Sequence, residues 1–502
     1  MPRRSRVLSG VETGTTNKTT RRHFVAALGV GALVFGFDPA RRTWVSLAQA
    51  SGRFDRVPRL DGTLMTDPSS LAPYATDAGS IVHNTPIAVL VPGSVRDIQK
   101  MVKFCRERRI KIAARGQGHT TFGQSQVAGG LVIDMKTISD IHEISANRAV
   151  LGAGATWKEL VNATVPLGLT PPVLTGYINL SIGGTLSVGG VSRINRQGCQ
   201  VDRVRELEVV TGEGELKRCS ARNNSDLFEA LLGGLGQCGI ITQATVDLIP
   251  AKPLARTFHL NYLDNAAFFA DLRILLERNE FDGVFMLGAP DGAGGWVRQI
   301  NAIKYHDTGT TPDPTFLLRG LTQPPSNAEI VDETYLAQVQ SVDVVIDFFK
   351  SVGLWDGVLH PWFDVWLPDD GVESYVGETL AGLTPEDVGP TGFLLLFPQR
   401  RSALKRPFLR VPECGDWVFL FDILTAAASP GPDEEFEARM LARNRALFEE
   451  ARSIGGTRYP IGSLEFSHSD WVRHYGREWN DFSRAKRRYD PEEILSPGAG
   501  IF

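Results

Sequence analysis

The chain of 502 residues has only five cysteines, and none stands in a C-x-x-C or similar metal-binding spacing. An odd number cannot pair completely in disulfides. No two of the nine histidines form an H-E-x-x-H pair either, so the sequence predicts no metal site. We expect the cysteines to be small buried hydrophobic side chains. They are Cys105, Cys199, Cys219, Cys238 and Cys414.

A strong excess of one charge is also absent. The 53 Lys and Arg residues nearly balance the 57 Asp and Glu residues, leaving a formal charge of −4. The chain therefore lacks the basic surface of nucleic-acid-binding proteins, and we expect no nucleic-acid partner. Hydrophobic residues at 42% and charged residues at 22% are ordinary for globular proteins and exclude wholesale disorder.

Glycine is the residue in excess, with 51 copies, about a tenth of the chain where ~7% is usual. Four of them fall within residues 183–190. Such density is unfavourable in a helix or a strand, because glycine loses the most conformational freedom on folding. We therefore expect irregular backbone there, packed closely against a ligand or another segment.

The first fifty residues are typical of an export signal. Arg21 and Arg22, followed by Phe24, precede an apolar run at 25–37 that is shorter than the ~20 residues a spanning helix needs. Residues 48–50 supply an A-x-A cleavage site. We predict a twin-arginine signal at 1–50, the export machinery as partner, cleavage near Ala50, a periplasmic or extracellular destination and no stable membrane anchor. An ordinary secretory signal or a disordered basic start is the alternative.

The predicted secondary-structure pattern of the mature chain changes twice along the sequence. Short β-rich runs at 87–91, 110–114 and 131–133 surround a helix that begins after Ser94 and carries Asp97 in its first turn. Longer patterns follow, and the last forty-odd residues return to a turn-rich style. We predict a first domain that is completed by the C-terminal segment and capped by a second, inserted domain. The predicted boundaries are 51–253, 254–455 and 456–502.

Residues 234–239 form a literal G-x-G-x-x-G. A dinucleotide site needs a strand before this motif and a helix after it. Here a helical pattern at 225–232 precedes it and a β-branched run at 240–246 follows it. The order predicts a helix-to-strand turn rather than a Rossmann site, although a ligand could still lie against it.

His119 stands on a glycine-flanked turn directly after a predicted strand. Taken alone, a structural or solvated histidine is the simpler interpretation. An ordered set of motifs, however, resembles the vanillyl-alcohol-oxidase/p-cresol-methylhydroxylase superfamily of flavoproteins, and within it the cytokinin dehydrogenases. The matches are 114–120 to ARGxGHS, 183–187 to GGTLS, 224–228 with 233–242 to NxDLFxAVLGGLGQFGIIT, 360–364 to HPWLN, and 489–502 to YDPxxxLxPGxxIF.

The resemblance implies an α+β protein: a two-lobed FAD-binding domain of the p-cresol-methylhydroxylase (PCMH) type with an inserted, cytokinin-dehydrogenase-like α/β substrate domain. It implies FAD as cofactor, bonded covalently to His119. The remaining FAD contacts fall by motif position on Ala114, Gly116, Gln117, Gly118, Thr120, Gln124, Ser181, Ser187, Val191, Ile241 and Ser496.

Two departures from the family pattern concern the chemistry. Gly176 stands where the cytokinin enzymes carry, in a TDYL turn, the Asp that takes the substrate's proton. Asp364 stands where HPWLN has Asn. Our hypothesis is that Asp364 has become the proton acceptor, with Trp362 beside it suited to a flat ring. A solvated or structural Asp is the alternative interpretation.

These observations predict an exported FAD-dependent oxidoreductase. It would move a hydride from a C–H bond beside an amine or alcohol to FAD, and the electrons on to oxygen or a quinone. Its substrate would be a small molecule such as an aromatic amine or alcohol. A sugar or secondary-metabolite oxidase, with Gly176 making room for a bulkier substrate, is one alternative. A flavin-binding protein without turnover is the other.

The export prediction is tested by replacing Arg21 and Arg22 together with lysine. We expect the precursor to accumulate in the cytoplasm, because the twin-arginine pair is the feature that this route recognises. Immunoblots of cytoplasmic and exported fractions measure the distribution. Unimpaired export of the double variant would assign the general secretory route instead.

Overall fold

The computed structural model describes residues 34–38, 43–46 and 55–502. The predicted twin-arginine pair and the cleavage site near Ala50 lie outside the described residues. Among the residues it does describe, no helix is long and apolar enough to cross a membrane. No group of three or more His, Cys, Asp or Glu side chains in this part of the chain is arranged to hold a metal ion.

The elements are numbered in chain order. The strands are β1 (Val34–Asp38), β2 (Thr43–Ser46), β3 (Asp55–Arg56), β4 (Thr63–Met65), β5 (Ala88–Val91), β6 (Ile112–Arg115), β7 (Leu131–Asp134), β8 (Ile141–Ser145), β9 (Arg148–Gly152), β10 (Leu169–Thr170), β11 (Val204–Val210), β12 (Leu216–Ser220), β13 (Ile240–Asp247), β14 (Ile249–Pro250), β15 (Leu254–Tyr262), β16 (Gly283–Pro290), β17 (Trp296–His306), β18 (Glu329–Thr334), β19 (Phe363–Pro368), β20 (Phe393–Arg400), β21 (Trp417–Leu424) and β22 (Thr457–Arg458). The helices are α1 (Pro68–Leu71), α2 (Val95–Glu107), α3 (Trp157–Thr164), α4 (Ile182–Val188), α5 (Ser225–Leu231), α6 (Asn265–Arg278), α7 (Pro314–Leu317), α8 (Tyr335–Val339), α9 (Ser341–Ser351), α10 (Val372–Gly382), α11 (Pro385–Val388), α12 (Glu434–Ser453), α13 (His468–Tyr475) and α14 (Trp479–Tyr489).

The first lobe begins with a β-α-β unit, as the sequence predicted. Strand β5, helix α2 and strand β6 follow one another along the chain. Strand β7 lies between β5 and β6 and pairs in parallel with both, in the sheet β4-β5-β7-β6. Helix α2 begins after Ser94 and carries Asp97 in its first turn, as predicted, but the two side chains act differently from a usual cap. The side chain of Ser94 makes no capping bond to the helix, whereas the Asp97 carboxylate accepts backbone N–H bonds from Asp61, Gly62 and Gly93. The acidic residue thus ties the preceding loops to the helix.

The second sheet, β12-β11-β13-β9-β8, is antiparallel throughout. The glycine-rich stretch at 183–190 packs beside it, and our expectation of irregular backbone there was wrong for most of its length. Residues Ile182–Val188 form α4, because Ile182 and Leu186 on one face are fully buried. The Thr185 hydroxyl accepts a bond from the Trp157 indole at 2.7 Å. Tertiary packing therefore overrides the low helix propensity of glycine.

The G-x-G-x-x-G segment lies between α5 and β13, which confirms the predicted helix-to-strand turn. The cysteine prediction is confirmed in four cases: Cys105, Cys199, Cys219 and Cys238 are buried. It was wrong for Cys414, which is exposed in the turn before β21.

The inserted lobe is built on an eight-stranded antiparallel sheet, β18-β15-β17-β16-β20-β21-β19-β22. One face of it packs against α6, α10 and α12 in a core that includes Phe268, Val376 and Phe448. The opposite face lies toward the first lobe. The last strand, Thr457–Arg458, belongs to this sheet, so the sheet extends past the boundary predicted after residue 455.

The C-terminal segment returns to the first lobe and is held there by a buried ion pair. Lys486 Nζ lies 2.8 Å from Asp490 Oδ2, and the two side chains are 1% and 0% exposed. The ammonium also donates to the carbonyls of Gln237 and Leu495, while Asp490 accepts from the backbone of Ile494 and Leu495. This network attaches the tail to the G-x-G-x-x-G turn.

Replacing Lys486 with Met leaves Asp490 charged and buried without its partner. We expect the free energy of unfolding to fall by about 3–5 kcal/mol. Urea denaturation followed by intrinsic fluorescence measures the change. Arg484→Gln is the matched control, since its pair with Asp481 is exposed and is worth no more than about 1 kcal/mol. Equal effects of the two variants would contradict a structural role for the buried pair.

Candidate functional site

A cavity of about 730 Å³ lies between the first lobe and the inner face of the eight-stranded sheet. Every residue that the sequence proposed for the site lines this one cavity, although the residues come from five separate segments of the chain. They are Ala114, Gly116, Gln117, Gly118, His119, Thr120, Gln124, Ser181, Ser187, Val191, Ile241, Trp362, Asp364 and Ser496.

The first-lobe wall is made of turns that approach one another closely. A side-chain carbon at Gly116 would collide with the Ser181 hydroxyl. One at Gly236, where φ is +70°, would lie 2.6 Å from Ser496 Oγ. These positions need glycine for close contact between segments. The wall consequently presents backbone and small hydroxyl side chains, which suit the phosphates and ribose of a nucleotide cofactor.

His119 projects into the cavity among aromatic rings. Its ring centroid lies 5.0 Å from that of Tyr177, 5.3 Å from Trp362 and 6.1 Å from Trp355, the last nearly parallel. Burial, together with His360 and Lys350, lowers the pKa of His119 to about 3. No hydrogen bond from its ring to another described residue occupies either nitrogen. The imidazole is therefore neutral, with a lone pair free to act as a nucleophile.

Asp77, which the sequence analysis missed, holds the turn that carries His119 through hydrogen bonds. Its carboxylate accepts bonds from the Thr120 hydroxyl and the Gly123 N–H, both at 2.8 Å. Burial raises the pKa of Asp77 to about 6. Thr120 therefore also has a structural role, in addition to lining the cavity.

Gln124 connects the two ends of the first lobe. Its amide nitrogen lies 3.3 Å from the Ile461 carbonyl and 3.4 Å from that of Pro460, and its oxygen accepts from the Phe122 N–H. The Thr121 hydroxyl donates to the same Ile461 carbonyl at 2.8 Å. The segment after β22 is thus fastened beside the His119 turn.

Asp364 faces the cavity because side chains alternate along a strand. On β19, Phe363 and Val365 enter the helix-packed core, and Asp364 between them points the other way. On β21 the same alternation places Asp422 toward the cavity. The two aspartates are direct cross-strand partners in the antiparallel pairing of β19 with β21.

The two carboxyl groups form a buried acid pair, which we call the Asp364–Asp422 pair. They are 6% and 4% exposed. Burial raises the pKa of Asp364 to about 7, and burial beside Asp364 raises the pKa of Asp422 well above its usual range. Two like charges directly opposite each other on a sheet repel, so near neutral pH the pair keeps at least one proton. Arg458, itself buried, provides the positive charge that favours ionised Asp364.

Comparison with known proteins identifies the cofactor. The family model described as FAD binding domain matches residues 86–220. The one described as cytokinin dehydrogenase 1, FAD and cytokinin binding, matches residues 309–502. The oxidoreductase ORF5 of the fasciation locus of Rhodococcoides fascians is 37% identical, over 88% of this chain and 99% of its own length. Cytokinin dehydrogenases 2 and 3 of Arabidopsis thaliana are 30% and 32% identical, over 90% and 88% of this chain and 95% and 90% of their own lengths.

The chain belongs to the cytokinin dehydrogenase family. It is an FAD-dependent oxidoreductase with the two-domain, PCMH-type architecture that the sequence predicted. The cavity fits this cofactor, because its hydroxyl- and backbone-lined end suits the dinucleotide and its aromatic end suits a flat ring system. Within this family member, sequence reasoning missed Asp77, Asp422 and Trp355. None of the three stands in a motif, and each acquires its role from partners that are distant in the chain.

Proposed function

We propose that this family member is an exported enzyme that oxidises a C–H bond beside an amine or alcohol, with FAD bonded covalently to His119. The observation that carries the proposal is the cavity itself. One wall presents a neutral, unbonded imidazole, and the sheet presents a buried acid pair to the same space. The first is what a covalent tether needs, and the second is what a proton acceptor needs.

Asp364 is the proton acceptor in this proposal. When bound, FAD supplies the acceptor for the substrate hydride. Removal of a hydride from carbon makes the neighbouring N–H or O–H strongly acidic, and ionised Asp364 takes that proton. Asp422 retains the proton that the pair already shares and donates it as a hydrogen bond to Asp364. The buried rings of Trp355 and Trp362 line the same cavity and limit the water around the acid pair, which strengthens these interactions.

Cytokinins are the first substrates to test, because the similar Arabidopsis proteins are named cytokinin dehydrogenases. Anaerobic mixing of the holoenzyme with isopentenyladenine, aromatic amines, aromatic alcohols and sugars would show which donor bleaches the oxidised-flavin absorbance. Bleaching by sugars alone would favour the sugar oxidase. No bleaching by any donor would favour a flavin-binding protein without turnover. Reoxidation by oxygen or by a quinone would identify the acceptor.

Export to the periplasm or the exterior is part of the proposal and is supported by the twin-arginine pattern at 21–24 and the cleavage site at 48–50. A tether to His119 suits that destination. A cofactor lost from an exported protein is not easily replaced, and twin-arginine export carries proteins that have already folded around their cofactor.

The tether prediction is that His119→Ala loses covalent flavin while it still folds. We expect yellow fluorescence on a denaturing gel for the wild type and none for the variant, because no other nucleophile takes the place of the imidazole. His142→Ala, at an exposed histidine on β8, is the control and should keep the fluorescence. Flavin released from the denatured wild type would contradict the tether.

The proton-acceptor prediction concerns the rate of flavin reduction. With a pKa of about 7, Asp364 is ionised and active above neutrality. We expect the rate to fall tenfold per pH unit below about 7 and to level off above it. Asp364→Asn should lower the plateau ~10²–10⁴-fold and remove this dependence. Stopped-flow absorbance gives the rates.

The partner of Asp364 is tested in the same assay. Asp422→Leu removes the donor that stabilises ionised Asp364, so the fall in rate should move to higher pH. Asp422→Asn keeps a donor and should stay close to the wild-type profile. Asp416→Asn, at an exposed residue just before β21, should change nothing. An unchanged reduction rate in Asp364→Asn would refute the role of Asp364.

A further inference from the structure

Gly176 lies in the wall of the flavin cavity beside the guanidinium of Arg193. A side-chain carbon at position 176 would lie 3.4 Å from Arg193 Nη2 and 3.7 Å from Nε. These are ordinary contact distances, and both residues line the cavity. The space that the glycine leaves open is therefore bounded by a cation.

The guanidinium of Arg193 is poorly satisfied within the described part of the chain. Its Nε is buried and has no hydrogen-bond partner. Its Nη1 reaches the Ser341 hydroxyl only at 3.5 Å, and its Cζ lies 5.0 Å from the Phe285 ring centre. It makes no ion pair with a carboxylate of residues 55–502. Burial lowers the pKa of this side chain, although Tyr305, Glu333 and Asp343 act in the opposite direction.

A second half-buried arginine shows that the fold can satisfy such a group. Arg443 on α12 donates to the Asp387 carbonyl, the Thr425 hydroxyl and the Asn444 side chain at 2.7–3.2 Å. Arg193 lines the cavity but has no partner for Nε and only a long contact from Nη1 to Ser341. Donors left open in this way indicate a binding partner that is not part of the chain.

The acidic residues near Arg193 do not act as its ion-pair partners. Asp343 accepts from the Ile178 N–H and pairs with Lys158. Glu333 lines the same cavity but lies outside ion-pair distance, and burial raises its pKa. A second cation, Lys350, stands 3.4 Å from the Tyr177 hydroxyl. Arg193 is therefore the cation that borders the space left open by Gly176.

We propose that Arg193 binds the carboxylate of an anionic substrate, so that the amine or alcohol that is oxidised also carries a carboxylate group. The inference rests on the proposed function and specifies its substrate class. A guanidinium presents parallel N–H donors that match the two oxygens of a carboxylate. Tyr177, the neighbour of Gly176, packs on His119, which places this anion site beside the flavin tether.

The test is equilibrium binding to the holoenzyme, which does not depend on turnover. The probes are isosteric acid–amide pairs, benzoate with benzamide and 3-phenylpropanoate with 3-phenylpropanamide, followed through perturbation of the flavin spectrum. We expect the wild type to bind at least one acid 10-fold or more tightly than its amide. Arg193→Gln should reduce this preference at least 10-fold, and Arg193→Lys should retain part of it.

Gly176→Asp provides a test that leaves the arginine in place. Its carboxylate would lie against Arg193 and occupy the anion site, so acid binding should fall at least 10-fold while amide binding persists. Arg196→Gln is the matched control, because its Nη2 bonds to the Leu276 carbonyl and its side chain does not line the flavin cavity. Glu333→Gln should keep the preference for acids.

Three results would overturn the proposal. The first is equal binding, or no binding, of acids and amides by the wild type. The second is a Glu333→Gln variant that behaves like Arg193→Gln, which would make Glu333 the true partner. The third is an Arg193→Gln variant with a changed flavin reduction potential and unchanged acid preference, which would assign the arginine to the cofactor. Failure of the proposed function is a separate result, namely no flavin reduction by any donor.

Discussion

The buried pair between Lys486 and Asp490 is the interaction on which the cavity depends. It joins α14 to the G-x-G-x-x-G turn and to the strand-like residues before Ser496. Leu495 then bridges in parallel to β6, which leads directly into the His119 turn. The charge pair is stable only because both partners are fully satisfied by additional hydrogen bonds. A single network therefore positions the tail, the turn and the histidine strand relative to one another.

The inserted lobe adds what the first lobe lacks. The first lobe supplies backbone, hydroxyl groups and His119, and none of its described residues that line the cavity is an acid. The sheet supplies the Asp364–Asp422 pair, and Trp355 and Trp362 cover the imidazole. The low pKa of His119 and the high pKa of Asp364 share one cause, since both groups are removed from water between the lobes. Burial between the two lobes thus keeps the imidazole neutral and raises the pKa of the Asp364 carboxyl group.

Residues that belong to short motifs could be predicted from the sequence, because their glycines and hydroxyls are local requirements of a turn. Asp364 could be singled out for the same reason, as a departure within a motif. Asp422 could not, since only the register of β19 with β21 makes it the neighbour of Asp364. Arg193 and Asp77 likewise have no local signature. The prediction of irregular backbone at 183–190 was wrong because burial of Ile182 and Leu186 stabilises a helix that the low helix propensity of glycine disfavours.

The two departures from the family pattern, Gly176 and Asp364, can be explained together. Position 176 carries no carboxylate and borders the guanidinium of Arg193, while the sheet presents the Asp364–Asp422 pair to the same cavity. A donor with a carboxylate at one end and an oxidisable amine or alcohol at the other would be oriented by both. A neutral, flat substrate would leave the buried Nε of Arg193 unpaired, which is unfavourable. In the two proposals, relocation of the proton acceptor and a change of substrate charge both follow from the same substitution.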